Sequence, residues 1–258
     1  RITEKGIGNG ISLLIMIGII ANLPSAFVFE LGNRMGASGT GGIIVILLEV
    51  AVLLLVIVVS ILLVQGTRRI PVQYAKRVVG NKQYGGVRQY IPLKVNASGV
   101  MPIIFAQAIM FVPMTVASFG ESGAASNWII TVFGNPNGFG YNLTFFIMIV
   151  AFTYFYTAVT VNPNQMSDEM KRNGGFVPGI RPGKKTAEYI DDVMSKITLP
   201  GSMFLALVAI LPAFAALAGV NQAFSYFYGG TSLLIMVGVI LDTLQQIESH
   251  LLMRHYDG

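Results

Sequence analysis

The sequence predicts an all-α polytopic membrane protein with six transmembrane helices, and three observations carry that prediction. Of its 258 residues 53% are hydrophobic and only 11% charged, where a soluble domain carries about 25% charged residues. Mean hydropathy is +0.66. The apolar residues gather into six long runs, each near the ~20 residues that a helix rising ~1.5 Å per residue needs to cross a ~30 Å hydrocarbon core. A soluble fold of this composition could not cover its surface, and a disordered chain would be poorer in apolar residues.

The runs are Gly10–Phe29, Gly42–Gln65, Gly99–Phe119, Tyr141–Val161, Ile197–Gly219 and Phe227–Ile247. Strands of a membrane barrel are shorter and alternate in polarity; these runs do neither. Asn22-Leu23-Pro24, Pro102, Gln107, Pro113, Pro200 and Pro212 interrupt them. Inside lipid such residues belong where backbone is shielded or lines a cavity, so the spans suggest a bundle that opens.

Basic residues orient the bundle. Arg1 and Lys5 precede the first span, and a cluster from Arg68 to Lys94 separates the second from the third. Another from Lys171 to Lys196 separates the fourth from the fifth, and Arg254 lies in the tail; only Arg34 of the 17 Lys and Arg falls on the other side. The positive-inside rule makes the first side cytoplasmic, with both chain ends on it. The chain opens on Arg1 rather than Met, and the expectation is a segment cut from, or processed out of, a longer chain.

Five segments follow: residues 1–65 with two spans, a basic loop 66–98, residues 99–161 with two spans, a second loop 162–196, and residues 197–258 with two spans and a tail. The first loop holds seven basic residues and no acidic one. Lipid headgroups account for a few such charges, but these spread along the loop among Tyr74, Tyr84 and Tyr90. That pattern suits RNA or an acidic protein partner. The second loop runs through Gly174-Gly175-Phe176-Val177-Pro178-Gly179-Ile180-Arg181-Pro182-Gly183. Glycine and proline at this density force a tight turn with Arg181 at its tip, and Thr186 is the expected helix cap beyond it.

Enzyme chemistry finds no footing. There is no cysteine, and the two histidines, His250 and His255, lack a third metal ligand. Gly183-Lys184-Lys185-Thr186 fails the phosphate-loop pattern, since Pro178 replaces its first glycine and Lys185 stands where Ser or Thr is needed. No cofactor and no metal are expected. Two ionisable residues fall inside spans, Glu49 and Asp242. Local pairing competes there with a role in coupled transport, which usually gathers such groups near the midplane.

Several segments then resemble one family. Thr3 to Ser12 (TEKGIGNGIS), Arg68 to Arg77 (RRIPVQYAKR), Pro92 to Asn96 with Gly99 to Pro102, Phe176 to Gly183, and Tyr228 to Ile235 (YGGTSLLI) look like collinear motifs of the SecY family. These are the channel-forming subunits of bacterial protein translocases. The resemblance implies spans five to ten of a ten-helix bundle whose two pseudo-symmetric halves enclose an hourglass pore. It implies conduction of unfolded polypeptide across the plasma membrane and lateral release of membrane segments, driven by the SecA motor or a docked ribosome. The partners it implies are SecE, SecG, SecA, ribosomal RNA, signal sequences and nascent polypeptide. The N-terminal portion of the same subunit, with spans one to four and the plug, would complete the pore.

Residue by residue, the resemblance implies an aliphatic pore ring of Ile11, Ile15, Ile104 and Ile235. Such a ring excludes ions by dewetting yet offers a passing chain no strong binding site. It implies lateral-gate contacts at Asn9, Asn96 and Gln107. Docking is implied at Arg68, Arg69 and Arg181, extended by their basic neighbours Lys76, Arg77, Lys184 and Lys185. Two other classes compete: a secondary transporter, suggested by the broken helices, and a docking fragment that conducts nothing.

Overall fold

Six helices of the computed structural model are long and apolar enough to cross a membrane. The structure describes residues 10–36, 42–74, 77–79, 82–84, 88–119 and 124–256. Helix α1 (Gly10–Met35) and helix α2 (Gly42–Gln65) lead into strands β1 (Thr67–Tyr74), β2 (Arg77–Val79), β3 (Lys82–Tyr84) and β4 (Arg88–Lys94). Helices α3 (Met101–Phe119), α4 (Ala124–Phe133), α5 (Phe139–Thr160) and α6 (Pro163–Arg172) follow, then strand β5 (Gly175–Phe176). The chain ends with α7 (Lys184–Leu217), the short α8 (Gln222–Ser225), a 3₁₀ turn (Tyr226–Tyr228) and α9 (Gly230–Tyr256).

Helix α7 organises the bundle. Its 34 residues span about 50 Å, well beyond a bilayer core, so the span expected at Ile197–Gly219 and the helix expected before it are one rod. Within the bundle Leu205, Ala206, Val208 and Ala209 pack into a core with Val56 and Leu63 of α2, Ile103 and Met110 of α3, Phe145 and Ile149 of α5, and Leu233 and Leu234 of α9. Small residues let backbones approach without Cβ bulk. A Cβ at Gly201 would come within 2.8 Å of the Val95 carbonyl. Hydroxyls inside the spans bond back to their own helix, as Ser60 does to Val56 O (2.8 Å) and Thr153 to Ile149 O (2.7 Å), which pairs their donors within the span.

Among its described residues the basic loop 66–98 forms strands, β1 and β4 in one sheet and β2 with β3 in another. Strands β1 and β4 pair antiparallel from Thr67↔Lys94 to Gln73↔Arg88. Strand β5 of the second loop joins the other edge of β1 through Gln73↔Phe176 and Tyr74↔Gly175. Ile70 and Val72 alternate inward on β1 and meet Leu93, Met170, Val177, Ile190 and Met194 in a separate core. The two basic loops and the protruding start of α7 therefore form one folded unit on the basic face of the bundle.

The connection into that unit is locally encoded. Helix α5 stops at Val161, and the Asn162 side chain accepts from Gln165 N (3.3 Å) with Pro163 in the first turn of α6, an arrangement that starts a helix. One expectation is corrected. Thr186 does not cap α7; the cap is Gly183, at φ 99°, a left-handed conformation that glycine adopts without strain. Thr186 lies buried in the first turn and donates instead to Arg181 O (3.0 Å).

Candidate functional site

Two cavities indent the bundle from opposite ends. One, of about 710 Å³, is lined by Ile15 of α1, Ile104 of α3 and Ile235 of α9, and toward the basic face by Lys94, Asp242 and Gln245. The other, of about 660 Å³, opens on the far face between α1 (Ile15, Asn22, Phe29) and the turn after α7 (Ala223, Tyr226). Ile15 lines both. Charged and polar groups thus mark the basic-side end of this profile, and aliphatic side chains its middle. Ile15 is 47% exposed and Ile104 42%, because they face open space rather than the packed core.

The structure brings three of the four expected ring residues to one cavity. Ile11 stands one helical turn before Ile15, in the first turn of α1; its side chain lies outside the described residues. The expected gate residues are not brought together. Asn96 accepts from the Ser98 hydroxyl (3.3 Å) in its own turn, Gln107 is exposed farther along α3, and Asn9 lies outside the described residues. The α3–α5 contact is aromatic: Phe105 stacks near Phe152 (6.3 Å) and Tyr156 (5.6 Å).

The basic face presents its cations on rigid supports. Arg68 and Arg69 are exposed on β1, Arg77 belongs to β2 with its side chain outside the described residues, and Lys76 lies outside them altogether. The turn bearing Arg181 is held from both sides. Ser167 of α6 donates to Gly183 O (2.7 Å), and Thr186 of α7 donates to Arg181 O (3.0 Å). Arg181, Lys184 and Lys185 are exposed, and Lys185 pairs with Glu188 (3.1 Å). A guanidinium on a fixed, solvated tip suits bidentate binding of phosphate or carboxylate.

The ionisable residues within spans take different places. Glu49 pairs with Arg34 (2.7 Å), which also pairs with Glu30 (2.9 Å). The reading from sequence singled out Glu49 but not Glu30, although Glu30 and Arg34 stand four apart on one helix face, a legible signal of pairing. Asp242 accepts from Gln246 (3.2 Å) and lines the cavity on the basic side. Among the described residues no group of acidic and histidine side chains could hold a metal ion.

Six membrane-length helices define a polytopic α-helical membrane protein. A family profile described as SecY matches residues 1–244. The protein translocase subunit SecY of Mycobacterium bovis is 45% identical over 265 residues, covering 100% of this chain and 58% of that protein. That of Mycobacterium leprae is 46% identical over 266 residues, covering 100% and 59%. The Chlamydia trachomatis subunit is 44% identical over 265 residues, covering 100% and 57%. This chain belongs to the SecY family, and it spans under three-fifths of the length of these relatives. The fold agrees with two solved structures at 15% identity. A protein-conducting channel matches with TM-score 0.55 over 96% of this chain and 60% of that one. A SecY protein whose plug domain stabilises the closed channel and maintains a membrane seal matches with TM-score 0.54 over 96% and 61%.

Proposed function

We propose that this chain forms the larger part of a channel subunit that conducts unfolded polypeptide across the bacterial plasma membrane and releases membrane segments sideways into lipid. The single observation that carries this reading is the position of Ile15, where the two cavities meet. Ile104 and Ile235 line one of these cavities with it, and we read the three, with Ile11 added by the family resemblance, as an aliphatic waist without charge or strong hydrogen-bond partners. Such a waist stays dry when empty and yields around a chain. The preceding segments present in the relatives, spans one to four and the plug, supply the other wall. SecE and SecG complete the complex, and Asn9, Asn96 and Gln107 hold the lateral gate against those spans.

The driving partner docks on the basic face, which we place in the cytoplasm with both chain ends. Arg68, Arg69 and Arg181, with Lys76, Arg77, Lys184 and Lys185, meet ribosomal RNA or the SecA motor. Of the two candidates for the competing transporter reading, Glu49 is tied to Arg34, and Asp242, which lines the basic-side cavity, is the one that a coupled flux would have to use.

The test uses the absence of native cysteine from this sequence. Single cysteines at positions 15, 104 and 235 of the full-length subunit, with any cysteine outside this segment replaced by serine, are expected to crosslink to an arrested, half-translocated polypeptide. Cysteines at lipid-facing Leu47 and Leu55, 65% and 62% exposed, are expected not to. Equal crosslinking at both sets would overturn the assignment of the pore.

A further inference from the structure

The far end of the pore-lining helix α1 is fastened by a buried ionic network. Arg34 Nε donates to Glu30 Oε1 (2.9 Å), and its Nη2 donates both to Glu49 Oε1 of α2 (2.7 Å) and to the Gly219 carbonyl after α7 (2.8 Å). Glu30 Oε2 accepts from the Asn221 backbone N–H (2.9 Å), and the Tyr228 hydroxyl donates to the Glu49 carbonyl (2.9 Å). Glu30 and Glu49 are 2% and 5% exposed, and the Arg34 side chain 10%. Gly219 turns at φ 90°, so its carbonyl faces the guanidinium, and the site that a Cβ would occupy lies 3.7 Å from Arg34 Nη2.

The strands of chain joined in this way are the two walls of the far-face cavity. Asn22, Ser25 and Phe29 of α1 form one wall, and Ala223 and Tyr226, just after Asn221, form the other. Charge accounting singles out the cation. Two buried carboxylates share one guanidinium, and Glu49 Oε2 is buried without a hydrogen-bond partner. A buried pair broken on one side leaves an uncompensated charge, whereas removing all charges together is often tolerated. The planar fork of arginine makes three directed bonds here that a lysine ammonium cannot reproduce in the same geometry.

We infer that Arg34, with Glu30 and Glu49, is a latch that sets the width of the far-face mouth by holding α1 against the turn 218–228. It is a positioning device: none of the three side chains lines the cavity. The inference deepens the conduction reading and rests on it for its purpose, because α1 also carries Ile15.

The test places spin labels at positions 29 and 223 of the full-length subunit, assembled in lipid vesicles, and measures their distance distribution. Arg34→Met and Arg34→Lys are expected to lengthen the mean and broaden the distribution about twofold, as a second, open population appears. Arg34→Met alone risks misfolding, so the neutral triple variant Glu30→Gln, Arg34→Met, Glu49→Gln is measured beside it. That variant is expected to unfold at or near the parent temperature and still show the widened mouth, a result that a purely stabilising network would not give. A parent-like distribution in the folded triple variant, or in Arg34→Lys, overturns the latch. The distance needs no polypeptide flux, so the latch is decided even where the crosslinks of the conduction test fail.

Discussion

Gln73 and Phe176 lie opposite each other in an antiparallel ladder, and through them the two basic loops become one sheet. The basic face is therefore a folded platform. Its residues can be perturbed from within, without touching a cation.

Val72, 0% exposed at the centre of that platform, is the first place to do so. Truncation to alanine removes two methyl groups from a packed site and is expected to cost roughly 2 kcal/mol. Hydrogen exchange should rise together in residues 67–74 and 175–176, because both strands lean on the same core. Protection lost in one strand alone would mean that the loops fold separately.

Arg181→Glu is expected to weaken ribosome and motor binding by at least about tenfold, the equivalent of ~1.4 kcal/mol, while helix content stays unchanged. Ser167→Ala should act more mildly. It removes the 2.7 Å bond to Gly183 O, worth about 1 kcal/mol, and leaves the cation in place on a looser turn. Cosedimentation with ribosomes checks both, and an Arg181→Glu subunit that binds normally would remove Arg181 from the docking surface.

At the waist, Ile15→Asn puts a hydrogen-bonding amide where the two cavities meet. Water then has a partner in the constriction, and resting ion conductance of the full-length channel should rise clearly above the parent in planar bilayers. Ile17→Asn is the control, since Ile17 is more exposed than Ile15 (59% against 47%) but belongs to neither cavity lining. Equal leak from both would place the seal elsewhere.

Asn162→Ala removes the side-chain cap of α6 and should cost about 1 kcal/mol of local stability. The helix carries Ser167, so the effect should appear as faster proteolysis within residues 173–183, with the spans intact. Cleavage confined to other loops would refute that link.

Much of this architecture is legible in the residues. The spans are written in hydropathy alone, because a bilayer demands length and apolarity of every crossing helix. The platform was not. The inward alternation of Ile70 and Val72 is a period-two signal, but Pro71 and the arginines before it disguise a strand as a loop. Its third strand is two residues long and exists only because Tyr74 and Gly175 meet in space. The proposed waist is suggested only by family resemblance. By side-chain type Ile15 is identical to Ile20, which is exposed but lines neither cavity, and helix phase alone does not say which face meets a pore. Pairing of Glu30 with Arg34 was open to inspection at i, i+4; the reach across to Glu49 and to the turn after α7 was not, because it depends on how three helices end.

The two cavities that converge on Ile15 also decide where a membrane voltage is felt. Water-filled vestibules conduct, so they bring the potentials of the two bulk phases close to a layer one or two side chains thick. A drop of 100 mV is worth about 2.3 kcal/mol per elementary charge. A uniform slab would spread that energy over ~30 Å of travel. On the proposed conduction, it is delivered across a few residues of the moving chain, so each charged residue is pushed or resisted one at a time, as it passes Ile15.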